Sequence, residues 1–188
     1  MMEIPIEIIP RHVHLSQEDY EVLFGQDHVF KKKQIGSQKG QWMSFSDTID
    51  LTMEKKTLHK LAVAGPWRHY SQVELSPQDA KELGFPLPLR RSGDISGSAK
   101  GILKGPKGSV SLRQGIIIPI PHLHCTPEDA KRLLVQNHLR VSVGFSHREE
   151  VLKQVVVRVH PTYQLALHVH TDFVKDYGLS AGCHAFLL

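Results

Sequence analysis

The chain is short of cysteine, of long apolar runs and of the usual nucleophile motifs, and each shortage removes a class of protein. Two cysteines in 188 residues, Cys125 and Cys183, build neither a disulfide framework nor a zinc knuckle. A reducing, cytoplasmic setting is the default for such a chain. No stretch of roughly 18 apolar residues and no leader-like start is present, so no membrane partner is expected. No Ser-His-Asp order or G-x-S-x-G elbow appears. Gly105-Pro106-Lys107-Gly108 lacks the length and the Ser/Thr of a phosphate-binding P-loop. The charge is only mildly positive, +4 with a pI of about 9.1, which suits an anionic ligand and gives no ground for nucleic acid. The remaining composition, 40% hydrophobic and 22% charged, is that of a globular chain long enough for a real core.

What the chain does have is histidine, 13 of them, and a repeat that organises several. Arg11-His12-Val13-His14-Leu15-Ser16-Gln17-Glu18-Asp19 is nearly copied at Leu123-His124-Cys125-Thr126-Pro127-Glu128-Asp129-Ala130, with His122 two positions before His124. Val73-Glu74-Leu75-Ser76-Pro77-Gln78-Asp79-Ala80 is a third copy, with Glu74 in the place of His14 and His124. His168-Val169-His170-Thr171-Asp172 is a weaker fourth. Each copy reads as a strand ending in a metal-ligand residue type, then a Ser or Thr, then a short helix. Internal copies imply duplication and two similar lobes.

The copies have a physical logic. Residues i and i+2 of a strand share a face, so His12 and His14 aim two imidazoles into one space, as do His122 and His124. Ser16, Ser76 and Thr126 are good helix N-caps, with Asp19, Asp79 and Asp129 three positions on. Pro77 and Pro127 sit at the first helical position, where a missing N–H costs nothing. The helix starts that follow favour anions. Ligands beside such ends suggest a metal site that handles phosphate or carboxylate.

The rest of the chain supplies many short strands. Strands are expected at 3–9, 42–53, 57–64, up to Glu74, on both sides of 105–108, at 115–120, 139–145, 151–159, 163–170 and 183–188. Helices are expected at 17–24, 77–83, 127–135 and after Thr171 to about Gly178. Lys31-Lys32-Lys33 reads as a solvated loop and 91–98 as the most linker-like stretch. The balance is β-rich α+β, with small barrels or closed sheets capped by helices.

Two His-x-His pairs at matching places in a duplicated unit point to metal, and imidazole with carboxylate suits zinc or a similar divalent ion. Glu74 would add an oxygen ligand, or is an ordinary carboxylate at a helix entry. His28, His59, His69, His138, His147, His160 and His184 read as ordinary polar residues. Cys125 alternates away from the His122/His124 face and reads as a core thiol.

Several stretches together resemble one family. Arg11-His12-Val13-His14-Leu15-Ser16, Gly65-Pro66-x-Arg68-x-x-x-Gln72-Val73-Glu74, Ser92-Gly93-Asp94-Ile95-x-Gly97-Ser98, Gly105-Pro106-Lys107-Gly108-Ser109 and His122-x-His124-x-x-Pro127-Glu128-Asp129-Ala130 are similar to the PduL-type phosphate acyltransferases, also called phosphate propanoyltransferases or phosphotransacylases. The resemblance covers nearly the whole chain. It implies two packed β-barrels capped by short helices, one from residues 1–10 plus about 119–188 and the other from about 11–118. It implies a two-zinc centre without an acyl-enzyme, with His12 and His14 on one zinc and Glu74, His122, His124 and His168 on the other. Arg68 would bind phosphate. The implied reaction is reversible: a short-chain acyl-CoA plus phosphate gives acyl phosphate plus CoA. Lys55 matches a lysine of the family, and Ile8, Ile9 and Pro10 stand where it has small polar residues near CoA. Ala62, Pro121, His170 and Lys175 also depart from its pattern. Members targeted to microcompartments carry a longer N-terminal extension, so a free cytoplasmic enzyme is expected, with a homodimer allowed.

Two rival metalloproteins fit part of the pattern. A cupin-like site would use His12-x-His14-x-x-x-Glu18, and a hydrolase would use zinc-bound hydroxide. A third rival is a family member that binds metal or CoA without turnover.

Overall fold

A computed structural model describes residues 2–35, 37–146, 149–179 and 183–188, so His147 lies outside the described residues. The first third of the chain forms β1 (Ile4–Ile9), β2 (His12–His14), α1 (Gln17–Phe24), β3 (Lys33–Gln34), β4 (Trp42–Met53) and β5 (Lys56–Gly65). There follow β6 (Gln72–Glu74), α2 (Pro77–Leu83), β7 (Leu89–Arg90), β8 (Ala99–Lys104) and β9 (Ser109–Pro119). The last third forms β10 (His122–Cys125), α3 (Pro127–Arg132), β11 (Arg140–Phe145), β12 (Val151–Val159), β13 (Ala166–His170), α4 (Asp172–Asp176) and β14 (His184–Leu187). Among the described residues no helix is long and apolar enough to cross a membrane.

The chain divides into two compact units. One comprises Met1–Ile9, Gly36–Lys39 and Ile120–Leu188, and the other Pro10–Ile35 and Gly40–Pro119. The first unit is a closed barrel in the order β1-β13-β10-β12-β11-β14, with β14 returning to β1 through Ile4↔Ala185. Its core holds Ile4, Leu123, Cys125, Phe145, Val157 and Leu167, all essentially inaccessible. In the second unit β4, β5, β2, β6 and β9 pair in turn, and β8 pairs both β9 and β4, which closes a second ring. Its core holds Val13, Leu15, Leu61, Val63, Val73, Leu103 and Ile116. Each such side chain contributes about 1.5–3 kcal/mol by leaving water.

The two rings have the same wiring. β2 runs parallel to β5 and antiparallel to β6, as β10 runs parallel to β12 and antiparallel to β13. β6 is parallel to β9, as β13 is parallel to β1. The N-terminal strand thus holds the place in the first unit that β9 holds in the second. The N-caps form as expected: Ser16, Ser76 and Thr126 accept from the backbone N–H of Asp19, Asp79 and Asp129, and α2 and α3 carry complete capping boxes.

Three local expectations shift, each for a visible reason. The third helix stops at Arg132 rather than 135, because Leu134 turns left-handed (φ 55°) and Val135 N–H returns to the Ala130 carbonyl. The stop has no glycine, so its usual signal is missing. The strand expected from 163 begins at Ala166, because Tyr163 N–H closes a turn onto the His160 carbonyl. The Lys31–Lys33 stretch is exposed as read, but Lys33 and Gln34 pair briefly with β4.

Phe145, 1% exposed on β11, fills the middle of the first barrel against Tyr177. Phe145→Ala should cost about 3–5 kcal/mol in denaturant unfolding. A loss below about 1 kcal/mol would show that this barrel core is not packed as described.

Candidate metal centres

Register brings the ligand-type residues together inside each unit. In the second unit His12 faces Glu74 across the antiparallel β2/β6 pair. His14 lies two residues along the same face, so one donor atom from each of His12, His14 and Glu74 falls within 4.8 Å of the others. In the first unit His122 faces His168 across β10/β13, and His122, His124 and His168 converge within the same limit. The two sets are therefore equivalent positions of the duplicated ring. Glu74 groups here with His12 and His14, not in the four-ligand set that the family resemblance implies. The reason is its place opposite His12.

The donors are prepared. His12 Nδ1 lies 2.8 Å from the Pro10 carbonyl. A carbonyl can only accept, so Nδ1 carries the proton and Nε2 presents its lone pair. His122 Nδ1 is held in the same way by the Ile120 carbonyl at 3.0 Å. His12 Nε2 and His14 Nε2 stand 3.1 Å apart, and Glu74 oxygens lie 3.7 and 3.8 Å from them. Two tetrahedral ligands at a metal–nitrogen distance of about 2.0–2.1 Å sit about 3.4 Å apart, so this spacing fits one divalent cation.

Burial makes the sets expensive without a cation. His124 is 2% exposed, and both of its ring nitrogens are buried with no hydrogen-bond partner. Burial, followed by His122 and His168, pushes its pKa far below the usual imidazole value. Burial, then His12 and Arg68, does the same to His14. Glu74 is fully buried, which raises its carboxyl pKa, but His12, His14, Arg68 and a Ser92 hydrogen bond outweigh this and hold it at about 2. The outcome is neutral imidazole beside ionised carboxylate, the protonation state that zinc requires. Three protein ligands, whether His₃ or His₂Glu, leave an open coordination position, as catalytic zinc sites do.

Arg68 stands beside the second unit's set. Its Nη2 donates to Ser92 Oγ at 3.0 Å and lies 3.6 Å from Glu74 Oε1. Ser92 in turn donates to Glu74 Oε1, and Gln72 Nε2 donates to the same oxygen at 2.6 Å. The linker-like stretch that carries Ser92 is thus built into the site, a role that composition did not reveal. Gly65 of the same motif packs under the Trp42 indole, where any Cβ would come within 2.0 Å of the ring. Arg68 also borders a cleft of about 540 Å³ lined by Ser16, Asp19, Tyr70, Ser71 and Arg113.

The other expected residues fall as follows. Lys55 is exposed in the β4–β5 turn, Ile8 is 42% exposed on β1, and Ile9 is half-buried. Pro10 contributes its carbonyl to His12. Glu18 is exposed on α1 and belongs to neither set, which removes the cupin-like ligand pattern. Cys125 is in the core, and burial pushes its thiol up to about 11, so it is no nucleophile. Arg11 is structural: it pairs with Asp79 of the α2 capping box at 2.9 Å.

The chain is similar to known proteins over nearly its whole length. The sequence model of the phosphate propanoyltransferase family matches residues 5–179. A phosphate propanoyltransferase of Priestia megaterium is 40% identical over 180 residues, 95% of this chain and 82% of the relative. One from Shewanella putrefaciens is 36% identical over 181 residues, 95% of this chain and 85% of the relative. One from Citrobacter freundii is 38% identical over 177 residues, covering 93% and 83%.

The buried histidines predict a pH dependence. His14 and His124 have depressed pKa values in the folded chain, whereas the unfolded chain takes up protons near 6.5. Their contribution to stability is complete above that value and is lost progressively below it, toward the depressed folded values. The melting temperature of chelator-treated protein should therefore drop between about pH 7.5 and 5.5. A constant melting temperature over that range would contradict neutral burial.

Proposed function

Because the chain belongs to the phosphate propanoyltransferase family, we propose that it transfers a short acyl group between CoA and phosphate at two zinc ions, without an acyl-enzyme. One ion would be held by His12, His14 and Glu74 and the other by His122, His124 and His168. The carrying observation is the pair of equivalent three-ligand sets, each delivered by strand register and each with imidazoles already prepared to ligate. Zinc so held supplies a Lewis acid for carbonyl or phosphoryl oxygens and keeps a thiol deprotonated near neutral pH.

The protein's own residues supply positioning. Arg68 offers a planar fork of donors that matches a phosphate edge. Its Nη2 is tethered through Ser92 to Glu74, so the fork is fixed relative to the second unit's ligands. Phosphate oriented there attacks the thioester carbonyl; a C–O bond forms, the C–S bond breaks and CoA leaves as the thiolate. In the reverse direction the thiolate attacks acyl phosphate, and phosphate leaves toward Arg68. Direct transfer of this kind needs no protein nucleophile, which agrees with a core-buried Cys125 and with Ser16, Ser76 and Thr126 serving as helix caps. Lys55 and the backbone of Ile8 to Pro10 are the proposed CoA contacts. Two free cysteines fit a cytoplasmic enzyme.

The discriminating assay is thiol release from acetyl-CoA or propanoyl-CoA with and without phosphate. Phosphate-dependent release is expected, falling more than about 100-fold in His14→Ala and in His124→Ala, because each set is needed. Arg68→Ala should mainly raise KM for phosphate. Release without phosphate would instead identify a hydrolase, and release untouched by either histidine variant would exclude the metal assignment.

A further inference from the structure

The two sets occupy equivalent places but differ in charge. The residue opposite His12 is the carboxylate Glu74, whereas the residue opposite His122 is the imidazole His168. Three imidazoles bring no negative charge to offset that of a divalent ion, whereas Glu74 brings one to the other set. The neighbouring parallel strand makes up the difference. Where Glu74 has Ile117 beside it on β9, His168 has Glu7 beside it on β1.

Glu7 Oε2 lies 2.8 Å from His168 Nε2. Both atoms are buried. Glu7 lies outside the three-donor convergence of His122, His124 and His168, so it would act on the set as the charged neighbour of His168 and not as a fourth ligand. The other Glu7 oxygen accepts from Ser37 N–H at 2.6 Å, which fixes the carboxylate.

His124 needs support of a different kind. His12 and His122 are held by backbone carbonyls, while His124 has no hydrogen bond at either nitrogen. The Tyr163 ring lies flat against it instead, with centroids 4.0 Å apart and planes 16° apart. The turn from His160 to Tyr163 delivers that ring, and the Arg158 guanidinium lies 5.9 Å from its centroid.

We propose that Glu7 is the charge-compensating carboxylate behind His168 in the His122–His124–His168 metal set and that Tyr163 is the positioning residue for its His124 ring. This rests on the set holding zinc. It gives each set one carboxylate, Glu74 from β6 as a ligand in one unit and Glu7 from β1 beside the ligand His168 in the other.

Zinc affinity by chelator competition on the purified, zinc-loaded chain tests both residues. Wild type should bind two equivalents. Glu7→Gln, which keeps the shape and loses the charge, should weaken one equivalent by about 10–100-fold and leave the other unchanged. Tyr163→Leu should weaken the same equivalent, and Tyr163→Phe, which keeps the stacked ring, should restore it to within about twofold. Wild-type affinity in Glu7→Gln overturns the Glu7 assignment. Wild-type affinity in Tyr163→Leu, or a tenfold loss in Tyr163→Phe, overturns that of Tyr163. A wild-type chain that binds fewer than two equivalents defeats the underlying metal reading instead, so the failures are separable. Melting of the chelated variants distinguishes lost zinc affinity from lost fold.

Discussion

The structure turns on imidazole nitrogens that are buried with nothing of the protein to bond to. A buried polar group left unsatisfied costs about 1–3 kcal/mol, and His124 alone carries two such atoms. A fold that is marginally stable does not keep that arrangement without a compensating partner. Structural zinc binding is worth about 10–16 kcal/mol in small peptides, far more than the orphaned nitrogens cost. The carbonyls of Pro10 and Ile120 then make sense as devices that fix one tautomer and turn the remaining nitrogen outward.

Duplication explains why there are two such places. Each ring puts a His-x-His strand between a parallel and an antiparallel neighbour, and the antiparallel neighbour brings the third ligand into register. After duplication the copies diverged in charge rather than in geometry. One set has its carboxylate at the register position itself, as Glu74, and there Arg68 and Ser92 are tied to it. The other set has an imidazole at that position and a carboxylate, Glu7, one strand over. The difference in chemistry between the two sets is thus carried by β6 and β1 and not by the His-x-His strands.

Much of this was legible in the sequence, because the informative signals are local. The i, i+2 histidines declared a shared face, and Ser16, Ser76 and Thr126 declared three helix starts that the structure contains. The β-rich balance and the duplication followed from the repeat. What escaped was set by pairing between distant strands. Nothing local says that Glu74 stands opposite His12, so its partners followed from family resemblance and differ here. Ser92 looked like a linker residue because its partners lie 18 and 24 positions away. Glu7 was one more polar residue in a strand until β1 was laid beside β13. The end of α3 was missed because Leu134 does the work usually left to glycine.

The most direct measurement is X-ray absorption at the zinc edge on the purified protein, with total zinc per chain determined on the same sample. Two zinc ions are expected, with only nitrogen and oxygen neighbours at about 2.0–2.1 Å and the outer-shell scattering of several imidazoles. Sulfur neighbours at about 2.3 Å, or a chain that holds no zinc after reconstitution, would contradict the assignment of the two histidine sets.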